Sequence, residues 1–436
     1  MRTGPICRVE PERYSPASFI LWAITVTALG LLFAAPLPAR AESLEEAIGL
    51  ALKGDPTLTS AEASLRAAEA RRQGAAAEFW PTFSLSTSTG ASYSRNNDFD
   101  STDSSSAVGV EASQPVYTGG QLRADLNAAK FNRDEAEASL SQTANEIVLS
   151  TVEAYVDALL AEERIKVREE ERNRLLAEVA RSQQLYEVGE AVGVDVARAQ
   201  ADEAAARSAL ASAKADLIDA ITRLAQRTGT RIEGFETPAA PAMPDSLEEA
   251  RERLLSASPR LLAQRAAEKS ASENVASAEA AYAPDISISA SAQRSGSGDI
   301  FDDGTDSASV TLRLSMPLYD SGRIDASVAA AEAQKFGARA DLQATERDLG
   351  QQLESIWFSI EALDSAITAN EERLRSARLA SDVARLERET GLKTTLDYLE
   401  VISDERDAAL EVASSRRDAL LVRYQLLALL GEAAGR

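Results

Sequence analysis

The chain has 436 residues, of which 69 are Asp or Glu and 46 are Lys or Arg, so its formal charge is −23. It contains no histidine and one cysteine, and it lacks the glycine patterns of phosphate- and dinucleotide-binding loops. This composition argues against binding to nucleic acid or anionic lipid and removes the commonest general base and thiol nucleophile, so we predict a protein that is not an enzyme and needs no cofactor or metal.

Residues 1–41 have the layout of a secretory signal peptide. Three arginines precede an apolar run at 19–35, and a small-residue Ala-Arg-Ala sequence follows at 39–41. An N-terminal membrane anchor is the alternative, because an apolar run of this length is just able to span a bilayer. Cleavage removes Cys7, four arginines and two glutamates, which changes the formal charge from −23 to −25 and leaves no cysteine for a disulfide or a lipid anchor.

The remainder of the chain is a tandem duplication. The sequence SLEEA occurs at 43–47 and again 203 positions later at 246–250, and PVYTGG at 115–120 matches PLYDSG 202 positions later at 317–322. Spacing kept within one residue over so long a stretch predicts two copies of one structural unit. The predicted units are a first repeat at 42–230, a proline-rich linker at 231–245, a second repeat at 246–431 and a short tail at 432–436.

The longest predicted helix is the stretch 121–188, which contains neither Gly nor Pro. Apolar residues recur along it at steps of three and four, and at 1.5 Å per residue it would extend to about 100 Å, too long for a compact domain. Each repeat is therefore predicted to hold short helices, a strand pair and a long helical hairpin. The strand pairs cover about 82–116 and 285–318, and the hairpins cover about 121–228 and 323–430.

The predicted strands are about ten residues long and alternate apolar with small polar side chains, as in Phe83 and Leu85 with their neighbouring serines. They fit either small hairpins on a helical rod or a transmembrane barrel, whose strands need about 9–11 such residues. Four strands cannot close a barrel, which needs about eight, so a barrel requires several chains. Aromatic residues that would form a membrane-interface girdle flank the strands at one end: Trp80, Tyr117, Tyr282 and Tyr319.

These features together resemble the TolC-like family of outer-membrane efflux and secretion channels. The resemblance rests on the signal peptide, the SLEEA opening, the duplication, the P-x-Y-x-x-G turns, and the tip sequences at 186–196 and 391–399, the second of which is most similar to members serving type I secretion. It implies a mainly α fold with a small β part. Three chains would form a 12-stranded β-barrel in the outer membrane of a Gram-negative bacterium and a helical α-barrel across the periplasm.

The resemblance also implies a function, as the exit duct of a tripartite export system. Its partners would be a periplasmic adaptor and an inner-membrane pump of ABC, RND or MFS type. The alternatives are a periplasmic adaptor, which also uses long helical hairpins, and a structural coiled-coil protein of the envelope. The polar loops 96–106 and 295–307 would then lie outside the cell, as solvated segments or as calcium sites.

The two helix breaks lie farthest from the strands, and the resemblance assigns them two roles. The periplasmic gate would be formed by Lys393, Asp397 and Glu400, and the adaptor would contact Val188, Gly189, Glu190, Gly391 and Leu392. Glu190 departs from the family pattern, which has an apolar residue after the glycine. The acids also have a simpler interpretation, because Asp195 and Asp397 would stabilise the first turn of a helix and Thr394 with Asp397 fits a capping box.

Overall fold

The computed structural model describes residues 43–96, 99–232, 234–297 and 304–435. The predicted signal peptide lies outside these ranges. Within them, no helix combines the length and the apolar character that a membrane-crossing helix requires.

The described chain repeats one order of elements, helix–helix–strand–strand–helix–helix. The first repeat contains α1 (Leu44–Gly54), α2 (Pro56–Ala77), β1 (Thr82–Asn96), β2 (Phe99–Thr118), α3 (Gln121–Glu187) and α4 (Gly193–Thr228). The second contains α5 (Leu247–Ala257), α6 (Pro259–Ala280), β3 (Asp285–Gly296), β4 (Thr305–Ser315), α7 (Arg323–Glu389) and α8 (Thr395–Leu430), and a 3₁₀ turn (Ala433–Gly435) follows. The long helices have 67 residues and the return helices 36 in both repeats, so each long helix extends to about 100 Å.

The helices begin where the sequence supplies caps. Ser43 and Glu46 form a capping box at the start of α1, and the Ser246 hydroxyl accepts a hydrogen bond from the Glu249 amide at the start of α5. Of the long helices, α3 and α8 contact each other in the middle of the array, α4 packs mainly on α3, and α7 packs mainly on α8. The two hairpins therefore lie side by side with α4 and α7 on the outside.

The repeats also join in a core beside the middle of the long helices. Tyr155 is fully buried there, and its hydroxyl exchanges hydrogen bonds of 2.9 Å with both backbone groups of Glu236 in the linker. Phe235 packs edge-on against the Tyr155 ring. The linker is therefore fastened to α3. The cluster around it draws buried residues from α1, α3, α4, the linker and the C-terminal helix: Leu44, Val148, Val152, Leu224, Ile232 and Leu427.

The four strands form one antiparallel sheet in the order β1-β2-β3-β4. The β2–β3 ladder joins the two repeats, with Val110 opposite Leu85 on one side and Ala292 on the other. Successive side chains of a strand point to opposite faces, so the alternation of apolar and small polar residues gives the sheet two chemically distinct faces. One face exposes apolar side chains, including Leu85 at 75% and Leu312 at 69% exposure, and the other carries mostly serines and threonines.

The strands of the first repeat are longer than predicted, at 15 and 20 residues instead of about ten. The predicted loop 96–106 is wrong in extent, because Asn96 and everything from Phe99 onward continue the β1–β2 ladder. The predicted loop 295–307 is also too long, since Gly296 and Thr305 are already strand residues. A hairpin ladder pairs backbone groups whatever the side chains are, so polar Ser and Thr residues extend it as readily as apolar ones.

Candidate functional site

The two hairpins turn through the same geometry at the end opposite the sheet. Gly189 and Gly391 both have φ near +79°, a left-handed conformation that glycine adopts without steric cost. The amide of Glu190 donates to the carbonyl of Leu185 at 2.8 Å, and the amide of Leu392 donates equally to the carbonyl five residues before it. This hydrogen bond, which spans six residues as in a Schellman motif, ends both long helices and places the residue after each glycine at the tip.

The helices that leave the two tips begin differently. The Thr394 hydroxyl accepts a hydrogen bond from the Asp397 amide at 3.2 Å, and the Asp397 carboxylate accepts one from the Thr394 amide at 3.4 Å, which completes the predicted capping box. Asp195 holds the corresponding third position of α4, but the N-cap residue there is Val192, which has no side-chain oxygen. Asp195 therefore stabilises its helix only through the helix dipole.

The residues predicted to form a gate lie close together on the second tip. Asp397 and Glu400 are both exposed, and their spacing of three residues places them on one face of α8. Lys393 is partly exposed, and its Nζ atom lies 3.8 Å from the Glu387 carboxylate on the other side of the turn. Within this chain, Lys393 thus links the turn to the last helical turns of α7.

Both tips expose apolar side chains, although the first carries Glu190 directly after its glycine. Leu392 is 82% exposed and Val188 is 69% exposed. Their neighbours Tyr186, Val192, Val194 and Leu396 are also exposed. A cluster of exposed apolar residues at the end of a long, otherwise charged hairpin is typical of a docking surface for another protein.

A buried polar network that the sequence interpretation missed joins the hairpins just above the tips. The Arg388 guanidinium donates to the Glu178 carboxylate at 2.9 and 3.0 Å and to the Thr395 hydroxyl at 2.8 Å. Ser182 donates a further hydrogen bond to Glu178, and both charged side chains are at least nine-tenths buried. The two partners are 210 positions apart on charge-rich helices, so no local sequence pattern marks them.

A second ion pair continues this connection between the hairpins. Arg174 on α3 donates two hydrogen bonds to Glu405 on α8, one of them 3.0 Å long, and contacts Ser381 on α7. Burial raises the pKa of Glu405, but the hydrogen bonds from Arg174 and Ser381 together with the charge of Arg174 outweigh it, so the pKa lies below its usual value. Burial, and then the Glu178 carboxylate, raise the pKa of the neighbouring Tyr398. The Arg174–Glu405 pair is therefore ionised, and it holds the two hairpins together above the tips.

We expect Glu178→Ala to loosen the second tip. The substitution leaves the buried Arg388 without its carboxylate, a loss that costs about 3–5 kcal/mol for a buried pair. Amide hydrogen exchange near Arg388 and Thr395 should accelerate in the variant, whereas Glu187→Ala, which removes an exposed acid from the same helix, should leave it unchanged. Replacing both partners, with Glu178→Leu and Arg388→Met, should restore most of the protection, and slow exchange in Glu178→Ala alone would contradict the argument.

The predicted girdle residues lie where the sheet meets the helices. Trp80 follows α2 and is 71% exposed, and Tyr319 follows β4 and is 88% exposed. Tyr117 and Tyr282 hold the corresponding places in the middle of the sheet and are less exposed. An amphipathic sheet with an uncovered apolar face, joined to helices about 100 Å long, is typical of an envelope protein that is anchored in a membrane by its sheet and extends far from it.

The family follows from comparison with known proteins. The family model described as "Outer membrane efflux protein" matches residues 47–230 and 250–432, one segment in each repeat, and the chain belongs to that family. It is a family of outer-membrane channels, which are not enzymes. The predicted TolC-like identity, the exit-duct function and the location in the Gram-negative outer membrane with a periplasmic extension are thereby confirmed.

Individual relatives cover almost the whole chain. Outer membrane efflux protein BepC of Brucella suis biovar 1 (strain 1330) is 27% identical over 397 residues, which is 90% of this chain and 86% of BepC. Outer membrane protein TolC of Escherichia coli (strain K12) is 24% identical over 418 residues, 90% of this chain and 83% of TolC. The crystal structure of VceC from Vibrio cholerae has the same fold, with a TM-score of 0.80, 22% identity, and 89% of this chain and 96% of VceC covered. Channels of this family work in tripartite systems with an adaptor and an inner-membrane pump.

Proposed function

We propose that three copies of this chain associate into one closed duct that conducts substrates passively and has no catalytic activity of its own. The observation that carries the proposal is the open four-stranded sheet. Its outer strands β1 and β4 each have one unpaired edge within the described chain, and its apolar face is uncovered. Three such sheets joined edge to edge give twelve strands, enough to close a barrel, whereas four are too few.

Unequal burial in the two repeats supports this edge-to-edge association. Gly119 packs tightly on the following repeat, and a Cβ atom there would lie 2.4 Å from Ala283. The equivalent residue of the second repeat is Ser321, which lies in the turn after β4, at the unpaired edge of the sheet. Beside that turn Leu318 and Tyr319 are 92% and 88% exposed, whereas their first-repeat counterparts Val116 and Tyr117 are 61% and 48% exposed. A neighbouring copy at the β4 edge would cover the second-repeat turn as the second repeat covers the first.

The duplication predicts the register in which β4 of one copy would pair with β1 of the next. Ala112 of β2 lies opposite Ala290 of β3. The repeat offset of 202 takes Ala112 to Leu314 in β4, and the offset of 203 takes Ala290 back to Thr87 in β1. If copies join as the repeats do, Leu314 of one copy lies opposite Thr87 of the next.

We expect a chain carrying both Leu314→Cys and Thr87→Cys to form covalent trimers under mild oxidation. Directly opposed residues have Cβ atoms about 4.5–5.5 Å apart, close to disulfide geometry, whereas diagonal neighbours are about 7–8 Å apart. The background is free of cysteine, since Cys7 lies in the predicted signal peptide. Non-reducing denaturing gels provide the measurement.

The control chain carries Leu314→Cys with Thr89→Cys, which moves one cysteine by two residues on the same face. It should cross-link far less than the matched pair. Equal cross-linking of both chains would contradict the register, and a monomeric protein that never cross-links would contradict the duct.

The tips supply the proposed contacts with the other components of the export system. The adaptor would dock on the exposed tip residues Val188, Gly189, Glu190, Gly391 and Leu392. Asp397 and Glu400 would then form the periplasmic gate, which three copies would turn into a ring of six carboxylates, and Lys393 would hold its hairpin beside them. The exposed apolar side chains of the tips and the exposed, adjacent acids of α8 support these roles.

A further inference from the structure

The polar face of the sheet is lined almost entirely by small side chains. Opposed across the four strands on this face are rows such as Ser88, Ala107 and Ser295, or Thr82, Ser113, Ser289 and Thr311. In the proposed barrel this face would line the passage. A wall of hydroxyls binds water well and exposes little apolar surface, so it favours hydrated solutes.

Two long charged side chains interrupt this pattern. Glu111 of β2 is exposed on the polar face, opposite Ser84 and Ser291. Arg313 of β4 is exposed on the same face, opposite Ser287, and is its one cationic side chain among the described strand residues. Of the other acids of this face, Asp103 lies toward the far end of β2. Asp285 is exposed at the helical end of β3, opposite Ser315 and diagonal to Arg313.

Glu111 and Arg313 hold equivalent positions in the two repeats. They are 202 residues apart, which is the offset of the strand and turn that contain them, and each lies in the half of its strand that leads to the helices. A closed ring of six equivalent hairpins places equivalent residues at one height. Three copies would therefore alternate Glu111 and Arg313 around the passage, in the half of the sheet section nearer the helices.

We propose that Glu111 and Arg313 tune the ionic selectivity of the sheet section in opposite directions, with Glu111 favouring cations and Arg313 offsetting the negative charge of Glu111 and the nearby Asp285. The inference rests on the proposed trimeric duct. The acids at the helical tips would attract cations, whereas charges of opposite sign at one height weaken each other's field, which salt screens within about 8–10 Å. The substrate class that this section fits is a hydrated solute of mixed charge.

The test measures the ratio of potassium to chloride permeability of the trimer in a planar bilayer under a KCl gradient. Glu111→Gln should lower this ratio by about twofold and Arg313→Gln should raise it by about twofold, as expected for a charge acting over about 10 Å of water. The double variant should return to the wild-type ratio, because it removes one charge of each sign. If Gln reduces trimer yield, Ser, the commonest residue of this face, replaces it and the same shifts are expected.

Arg294→Gln is the matched control. Arg294 is a strand arginine of the same sheet, but it lies on the apolar face with its guanidinium 3.5 Å from the Asp306 carboxylate, so its loss should leave the ratio unchanged. If the trimer conducts but its permeability ratio changes in neither variant, or changes in the same direction in both, this inference is overturned and the proposed duct is not. A wild-type protein that forms no conducting trimer would overturn both.

Discussion

Leu312→Arg is expected to abolish assembly of the protein in the outer membrane. Leu312 is 69% exposed on the apolar face of the sheet, opposite Ile288, with Leu314 and Val310 beside it on the same strand. If that face meets lipid, an arginine there costs from about 1 kcal/mol near the interface to about 2–4 kcal/mol at the middle of the bilayer in each subunit, and a trimer incurs this cost three times. Heat-modifiable trimer in the outer-membrane fraction is the measurement, and it should fall to a small part of the wild-type amount.

Thr311→Arg is the matched control, because it introduces the same side chain one residue away on the opposite face. A water-filled passage accommodates an arginine, so trimer yield should stay close to that of the wild type. Equal loss in both variants would mean that the new side chain disturbs β4 whichever face it lies on. Normal yield from Leu312→Arg would show that this face does not meet lipid.

The arrangement of elements was predictable because it depends on long-range regularities. The offsets of 202 and 203 residues identified the repeat, and the stretch 121–188 identified a helix that ends in the structure at Glu187. Periodicity over many residues averages out the context that misleads short-range propensity. Strand length was not predictable in the first repeat, because the serine-rich continuation of β2 resembles a loop in composition and gains its structure only by pairing with β1.

The candidate site likewise contains features that the sequence predicted and features that it did not. The capping box of Thr394 and Asp397 was readable, since it depends on two residues three positions apart. The buried pair of Glu178 and Arg388 was not readable, because its partners come from different repeats and meet only when the hairpins pack. Val192 shows a subtler limit: Asp195 and Asp397 hold matching positions in their helices, but the residue before each helix decides whether a cap forms.

Asp397 therefore combines a capping role that the structure shows with a separate, proposed role in the gate. As a cap, Asp397 stabilises the first turn of α8 by about 1 kcal/mol. As part of a gate, its charge would add to that of Glu400 in every copy. Asn in place of Asp397 keeps an oxygen that can accept the hydrogen bond from the Thr394 amide but removes the charge, so it separates the two roles.

Asp397→Asn combined with Glu400→Gln is expected to abolish block of the duct by multivalent cations added from the periplasmic side. Six carboxylates brought close together by three copies should bind a trivalent cation, and their removal should weaken the block by at least about tenfold while trimer yield stays unchanged. Single-channel conductance with hexaamminecobalt(III) on either side of the bilayer measures the effect.

Thr394→Val, which copies the uncapped first tip at Val192, removes the cap and keeps the charges, so it should leave the block intact. Asp195→Asn should also leave it intact. If Asp195→Asn relieves the block as fully as the double variant does, the gate lies elsewhere on the tips, and if Thr394→Val does so, the acids act by holding the helix and not by their charge.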